Sequence, residues 1–441
     1  MILANLAAVL LYLASVWLIL RRYRQYLVFF GYLAFLNAWA LISCFYNDLG
    51  IYNLELFRHT ETTLATARLA AFGIVFNLGF LALASLMGDR PLANRDYQLA
   101  QGGLRLGNLR LAGYVAAGVA IAYLGYTLIQ GGIPFLSGIG RHAFFEQAGP
   151  IERTVLVYGP LLAFLCGYFR PHRRRVAFSS ILMLLFVVYA ILVGNKFSFL
   201  VLILVCYYAP VYVGRAGLSA SNWRLSPRRL LALAAFAAAI LGFVFVSYVR
   251  TQGGGQLAFK YMYNRVLAFQ GETWWAVDHD IQRNGRYDPD HWKAELNAII
   301  GSDESDGAET GLRYLMIKVL GPERAYPIID GGYLYTGAYP AILIATFPYA
   351  LALAIQLLAG CVYFLMLYYL HYCFLFRHAV RSAIMVLVLV PFLVTLINAN
   401  LGGFLTLGLA VKLAVLSLLE LGAGTSVPRR LHTAITRETT A

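Results

Sequence analysis

The chain has 441 residues, of which 60% are hydrophobic and 13% are charged, and its mean hydropathy is +0.67. This composition excludes an ordinary water-soluble domain and predicts an all-α polytopic membrane protein. The formal net charge of +14 does not indicate a nucleic-acid partner, because the basic residues lie in short turns between apolar segments.

Eleven apolar segments follow one another along the chain, and most are long enough to cross a hydrocarbon layer about 30 Å thick. They lie at residues 2–20, 26–46, 67–88, 113–130, 153–169, 176–193, 197–213, 231–248, 341–370, 382–397 and 404–420. The segment 341–370 is too long for one straight span. The pattern predicts transmembrane helices 1–8 within residues 1–248, a large hydrophilic insert at 249–335, transmembrane helices 9–11 within 336–420 and a tail at 421–441.

The connections between these segments alternate in charge. Arginines cluster near residues 21–24, 90–110, 170–175, 215–229, 377–381 and 429–437, whereas the other connections carry most of the acidic residues. Because positively charged short loops are retained on the cytoplasmic side, we expect the N-terminus and the insert outside and the C-terminus inside.

The insert is predicted to contain short helices. Residues 257–281 are predicted to form one or two amphipathic helices on the membrane surface. A second helix is expected to start at Asp288–Pro289 and to stop at Gly301, and a third to end at Gly321–Pro322. Such helices, joined by glycines and an acidic stretch, could form a mobile lid over a substrate groove.

Several basic residues fall on the predicted outer face. Lys196 lies in a very short turn, Gly194-Asn195-Lys196-Phe197-Ser198, where a cation close to the membrane boundary is usually functional. Arg250 and Arg265 could converge on the same anionic group, such as a lipid pyrophosphate. The alternative for each of these residues is that it is a surface cation that is solvated or paired with an acid.

Two tryptophans of the insert, Trp274 and Trp275, allow two interpretations. They could present flat faces to sugar rings, or they could anchor surface helices at the lipid boundary.

No motif for a metal or a nucleotide is present, so no cofactor is expected. The sequence lacks CxxC and HExxH, and its glycine-rich stretches lack the lysine and hydroxyl residue of a phosphate-binding loop. Its five cysteines fall in or at the ends of apolar segments, which argues against a disulfide framework.

In its predicted architecture and in a few short segments, the chain resembles the Wzy-type O-antigen polymerase family of bacterial inner membranes. The resemblance rests on the number of spans, the Gly194–Ser198 turn with its basic residue and one dominant outer loop late in the chain. Two short patterns add to it: Tyr263-Asn264-Arg265 leading to a tryptophan-containing helix, and the glycine- and tyrosine-rich segment 330–337 that contains Tyr333.

The resemblance implies polymerisation of undecaprenyl-pyrophosphate-linked oligosaccharides, for an O-antigen or an exopolysaccharide, at the periplasmic face of the inner membrane. It implies metal-independent glycosyl transfer, in which Lys196, Arg250 and Arg265 receive the charge of the leaving pyrophosphate. Candidates for the base or orienting group at the acceptor hydroxyl are His142, Glu272 and Asp330. Further candidates for substrate binding are Arg141, Arg313 and Tyr333, together with Trp274 and Trp275. A chain-length regulator and membrane lipids are the implied partners.

Three other functions stay open at this point. An O-antigen ligase would use the same donor, and loop sequence separates it poorly from a polymerase. A polyprenyl-phosphate-dependent glycosyltransferase would more often place paired acids in its first outer loop, where this chain has Asp48. A lipid or solute transporter would carry charged residues inside its spans, and here only Lys412 and Glu420 lie near the last one.

Overall fold

The computed structural model describes residues 1–53, 56–87, 106–134, 144, 149–169, 178–194, 197–216, 254–285, 288–300, 309–330, 339–375, 378–399 and 404–424, with isolated residues 231, 242, 245, 246 and 249. The first part contains α1 (Ile2–Arg22), α2 (Leu27–Asn47), a hairpin of β1 (Tyr52–Asn53) and β2 (Arg58–His59), α3 (Ala65–Met87), α4 (Leu106–Gly131), α5 (Pro150–Val157), α6 (Gly159–Tyr168), α7 (Phe178–Leu192) and α8 (Phe197–Ala216). The second part contains α9 (Gly255–Leu267), α10 (Phe269–Asn284), α11 (His291–Ile300), α12 (Gly311–Leu320), α13 (Pro322–Asp330), α14 (Ala341–Thr346), α15 (Tyr349–Leu375), α16 (Ala379–Asn398) and α17 (Leu407–Gly424).

The chain is a largely helical, membrane-embedded protein. Among the described residues, six helices are long and apolar enough to cross a membrane, namely α1, α2, α3, α4, α15 and α16, and α6, α7 and α8 are shorter apolar helices. The count of eleven spans stays a prediction, since the eighth predicted span, 231–248, lies almost wholly outside the described residues.

The long apolar segment 341–370 is divided in the structure. Helix α14 ends at Thr346, Phe347 is extended with φ −121° and ψ 152°, and α15 begins after Pro348. Proline disfavours a helical conformation in the residue before it, so Pro348 accounts for the break. The residues 341–346 therefore form a short buried helix and only α15 has the length of a span.

Small residues allow the central helices to approach closely. Helices α3 and α15 run parallel, because Phe76 meets Gly360 and Phe80 meets Phe364. A Cβ atom added at Gly79 would overlap the Leu357 carbonyl oxygen, and one added at Gly360 would overlap the Phe76 carbonyl oxygen. Glycine at such contacts is the usual means of packing helices in a membrane, where no hydrophobic force drives them together.

Helices α9–α13, residues 255–330, form a unit that we call the cap. None of its helices is among those that could cross a membrane. Its core, with Trp274, Trp275 and Met316, is continuous with buried residues of the bundle such as Tyr12 and Phe72. The cap therefore packs directly on the helices of the membrane bundle.

The helices of the cap differ from the predicted ones in three ways. The predicted surface helix pair 257–281 consists of α9 and α10, but α10 has nine buried residues and is not a surface helix. The second helix begins at His291, after a turn in which the Asp288 side chain accepts a hydrogen bond from the Asp290 amide at 3.1 Å. The third ends at Leu320 before Gly321 as expected, but Pro322 then starts a further helix, α13, which the sequence pattern did not predict.

Candidate functional site

A buried carboxylate at the end of α2 joins three helices of the bundle to the cap. Asp48 is 1% exposed and accepts hydrogen bonds from the hydroxyls of Thr63 (2.6 Å) and Thr66 (2.7 Å) and from both their amides (3.1 Å each). The Asn5 amide group (2.9 Å) and the Trp275 indole (3.0 Å) donate as well. Amides at a helix start favour an anion there, so Asp48 also caps α3. Asp48 is thus a positioning residue that fixes α1, α2, α3 and α10 together.

A second polar link lies beside the first. The Arg68 guanidinium on α3 donates from Nε to Asp278 Oδ1 at 2.6 Å and from Nη2 to Oδ2 at 2.5 Å. The Asp278 side chain on α10 is 2% exposed. A two-pronged arginine–carboxylate pair has strict geometry, so it sets the rotation of α10 against α3.

The start of α10 lies directly against the backbone of α2. The Ser43 hydroxyl donates to the Ala268 carbonyl at 2.6 Å and accepts from the Gly271 amide at 2.8 Å. A Cβ atom at Gly271 would overlap the Cys44 amide nitrogen. Glycine is therefore required at this close approach.

Trp274 and Trp275 form part of this junction. Each is 1% exposed. The Trp274 indole donates to the Ala65 carbonyl at 2.8 Å, and its ring centroid lies 5.3 Å from that of Phe72. The Trp275 ring stacks on His279 with centroids 4.9 Å apart. In this structure neither ring presents an open face to a sugar or to lipid.

Glu272, a candidate base, lies in the same buried junction. Its side chain is 0% exposed, between the glycine contact at 271 and the two tryptophans. A base must come within hydrogen-bond reach of the hydroxyl it deprotonates. Glu272 could meet that condition only if the cap separated from α2.

Arg265 lies at a different place, at the C-terminal end of α9. Its guanidinium carbon is 5.1 Å from the centroid of the Phe269 ring. The Trp39 indole of α2 donates to the Val266 carbonyl at 2.7 Å. Helix α9 therefore lies along the outer side of a candidate span.

The exposed face of α9 is largely apolar. Phe259 is 57% exposed and Tyr263 is 42% exposed, and the Tyr263 hydroxyl meets that of Tyr46 on α2 at 2.9 Å. Aromatic side chains with polar tips are typical of the membrane–water interface. Helix α9 thus has the properties of an interfacial helix, with Lys260 and Arg265 as its charged residues and no acid. This agrees with the surface helix that the sequence predicted for this part of the insert.

The remaining described candidates are solvent-accessible. Arg313 on α12 pairs with Glu309 at 2.9 Å, and its side chain is 48% exposed. Asp330 is the last residue of α13 and is exposed. The other candidates lie outside the described residues: Arg141, His142, Lys196, Arg250 and Tyr333.

Sequence reasoning missed a group of residues on the outer side of the junction. The Arg58 guanidinium of β2 lies 5.4 Å from the centroid of the Trp275 ring, and the His279 ring contacts Glu61. The Arg324 guanidinium of α13 lies 5.9 Å from the centroid of the Phe57 ring. No local pattern marks these residues, because they come together only when the cap docks.

The described part of the chain contains no group of three histidine, cysteine, aspartate or glutamate side chains placed to hold a metal ion.

Comparisons with known proteins match one region of the chain. The model of a family of unknown function, DUF6418, matches residues 305–413, which is less than half of the 441-residue chain. This region runs from the second half of the cap through α16 and into α17. No curated protein and no solved structure matches the chain.

Proposed function

We propose that the protein is a polysaccharide polymerase that joins polyprenyl-pyrophosphate-linked oligosaccharides at the periplasmic face of the bacterial inner membrane. One observation carries the proposal: a helical cap is packed on one end of an apolar bundle, and its helix α9, which carries Arg265, is joined to α2 by the hydrogen bond from the Trp39 indole to the Val266 carbonyl. A lipid-linked glycan needs such a junction, because its tail lies in lipid, its pyrophosphate at the boundary and its sugars in water.

The proposed reaction transfers the growing glycan to a new repeat unit. A hydroxyl oxygen at the non-reducing end of the acceptor attacks the anomeric carbon of the donor glycan. The new glycosidic bond forms as the bond from that carbon to the pyrophosphate oxygen breaks, and the pyrophosphate leaves with the electron pair. The hydroxyl proton passes to a base. No metal is required if cations receive the leaving charge.

The residues would divide between the two ends of this reaction. Arg265, with Lys196 and Arg250, would bind the pyrophosphate; the planar guanidinium fork suits two phosphate oxygens. Asp330 and His142 are the proposed partners of the acceptor hydroxyl. Of the described carboxylates among the candidates, Asp330 is the exposed one, so we place it before Glu272.

The lipid-linked glycans of a strain that lacks the gene test this proposal. Loss of a polymerase leaves single repeat units on the carrier, and it also leaves single units on the cell surface. Loss of a ligase instead leaves full-length polymer on the carrier. Normal polymer in the deletion strain would contradict both.

Complementation with single variants tests the role of Arg265. We expect Arg265→Ala to shorten the polymer or lower its yield while the protein still accumulates in the membrane. Lys293→Ala is the matched control, since Lys293 is an exposed cap cation on α11, paired with Asp290 at 2.6 Å. Equal polymer from both variants would remove Arg265 from the proposed site.

A further inference from the structure

The hairpin between α2 and α3 holds an aromatic ring out into solvent. Its strands pair antiparallel, with Tyr52 opposite His59 and Asn53 opposite Arg58. Phe57, just before β2, has φ 51° and is 53% exposed. A left-handed conformation is unfavourable for a bulky residue and is typically found where the surrounding structure imposes it, often at binding sites.

The next residue, Arg58, forms no salt bridge with an acid in the described part of the chain. The Arg58 guanidinium lies over the Trp275 ring, its Nε atom is buried, and this atom donates no hydrogen bond within the described part of the chain. No described acidic side chain lies within ion-pair distance of Arg58. Burial lowers the pKa of Arg58 below its ordinary value. A half-buried charge without a counter-ion is costly, and an anionic ligand would relieve that cost.

The acids nearest to Arg58 are engaged elsewhere. Glu61 contacts the His279 ring, and this hydrogen bond lowers the pKa of the Glu61 carboxyl. Asp280 accepts a hydrogen bond from the Asn284 side chain at 2.7 Å. These acids reduce the positive potential around Arg58, but neither forms a salt bridge with its guanidinium.

A second cation, Arg324, lies beside the exposed Phe57 ring. Arg324 projects from α13, and its guanidinium lies 5.9 Å from the centroid of the Phe57 ring. The hairpin and the cap thus meet here: the exposed Phe57 ring contacts Arg324, and the neighbouring Arg58 lies over the Trp275 ring. We call Phe57, Arg58 and Arg324 the hairpin patch.

We propose that the hairpin patch binds an acidic sugar of the glycan, with the sugar ring against Phe57 and its carboxylate on the fork of Arg58. This inference rests on the proposed function, because it assigns the patch to the glycan rather than to the lipid carrier. The patch suits a sugar carboxylate better than a lipid pyrophosphate, since the hairpin lies beyond the end of α2, a candidate span. Arginine binds a carboxylate through two parallel hydrogen bonds, whereas lysine offers only a point charge.

Binding to the full-length protein in nanodiscs tests the proposal without any assay of polymer synthesis. The probes are an oligosaccharide of glucuronic acid, the matching neutral glucose oligosaccharide and inorganic phosphate, each titrated by isothermal calorimetry. We expect the glucuronic acid probe to bind. Arg58→Gln should weaken its affinity about tenfold or more, because a charge-assisted hydrogen bond is lost. Arg58→Lys should keep part of the affinity.

Two further variants separate contact from general electrostatics and from misfolding. Arg283→Gln removes the same charge from a nearby exposed position on α10 and should change the affinity less than about twofold. Phe57→Gly removes the ring and is compatible with the left-handed backbone, so it should weaken the sugar probe without unfolding the hairpin.

The outcomes are distinct from those of the polymerase test. Failure of the glucuronic acid probe to bind, equal binding of the neutral probe, or equal binding of phosphate with the same dependence on Arg58 would overturn the acidic-sugar site. If the probe binds as expected but the deletion strain makes normal polymer, the site stands and the proposed function fails.

Discussion

Gly271→Ala is predicted to loosen the cap. The added methyl group would overlap the α2 backbone at Ala40 and Cys44, which cannot move aside as a flexible side chain would. Forcing a methylene into such a contact costs about 1–3 kcal/mol. Separation of the helices would also weaken the two hydrogen bonds of Ser43 to α10, each with a net value of about 1 kcal/mol.

Together these terms predict a loss of about 3–5 kcal/mol in the free energy that holds the cap on the bundle. Hydrogen–deuterium exchange of the backbone amides at residues 268–278, measured on purified protein in nanodiscs, reports this free energy as local opening. A loss of 3 kcal/mol corresponds to exchange faster by roughly a hundredfold. Gly255→Ala is the matched control, because a Cβ atom at Gly255 meets nothing within 4 Å. Unchanged exchange in Gly271→Ala would refute the close docking of α10 on α2.

Three other predictions concern the bundle, its orientation and the short turn. Gly360→Ala should lower the thermal stability in detergent, because its methyl group would overlap the backbone of α3. Gly118→Ala should not, because open space surrounds Gly118. Equal melting temperatures for the two variants would count against the α3–α15 contact. A cysteine at Ser302 should react with an impermeant thiol reagent in cells with a permeabilised outer membrane, and one at Ser219 should not; the opposite labelling would invert the orientation. Lys196→Arg should retain more polymer synthesis than Lys196→Ala, as measured by the glycan ladder. Equal polymer synthesis by these two variants would show that the charge at position 196 is dispensable.

Features that depend on local sequence were predicted well. The apolar segments of the long spans match helices in the described residues, because length and hydropathy alone decide whether a helix can cross a bilayer. The turn at Gly321–Pro322 ended a helix as expected, and Gly321 has φ 79°. Glycine tolerates this conformation and proline can start the next helix, so α13 follows without a loop.

Features that depend on distant contacts were not predicted. Trp275 and Asp48 are 227 residues apart, and no periodicity links them. The sequence of α10 contains both charged and aromatic residues and so resembles a surface helix. Yet Asp278 is buried in a pair with Arg68, and a hydropathy pattern cannot distinguish such a charge from a solvated one.

The sequence suggested a lid motion of the whole cap, but the contacts at this junction oppose such a motion. Helix α10 is held by the Asp48 and Arg68 links and by the Gly271 contact. A cysteine pair that ties α11 to a neighbouring span would test a smaller movement of the outer helices. Equal polymer synthesis by the oxidised and reduced protein, with complete crosslinking, would exclude a required motion there.

Reconstitution of the purified protein with its proposed substrate tests the central claim most directly. Proteoliposomes would contain the protein and one chemically defined, polyprenyl-pyrophosphate-linked repeat unit, with no metal added and no other enzyme. The account predicts a ladder of lipid-linked products that differ by one repeat unit, released polyprenyl pyrophosphate in equal number to the new bonds, and loss of the ladder in Arg265→Ala. The account would be contradicted if only single repeat units remained while hydrogen–deuterium exchange showed that the protein was folded.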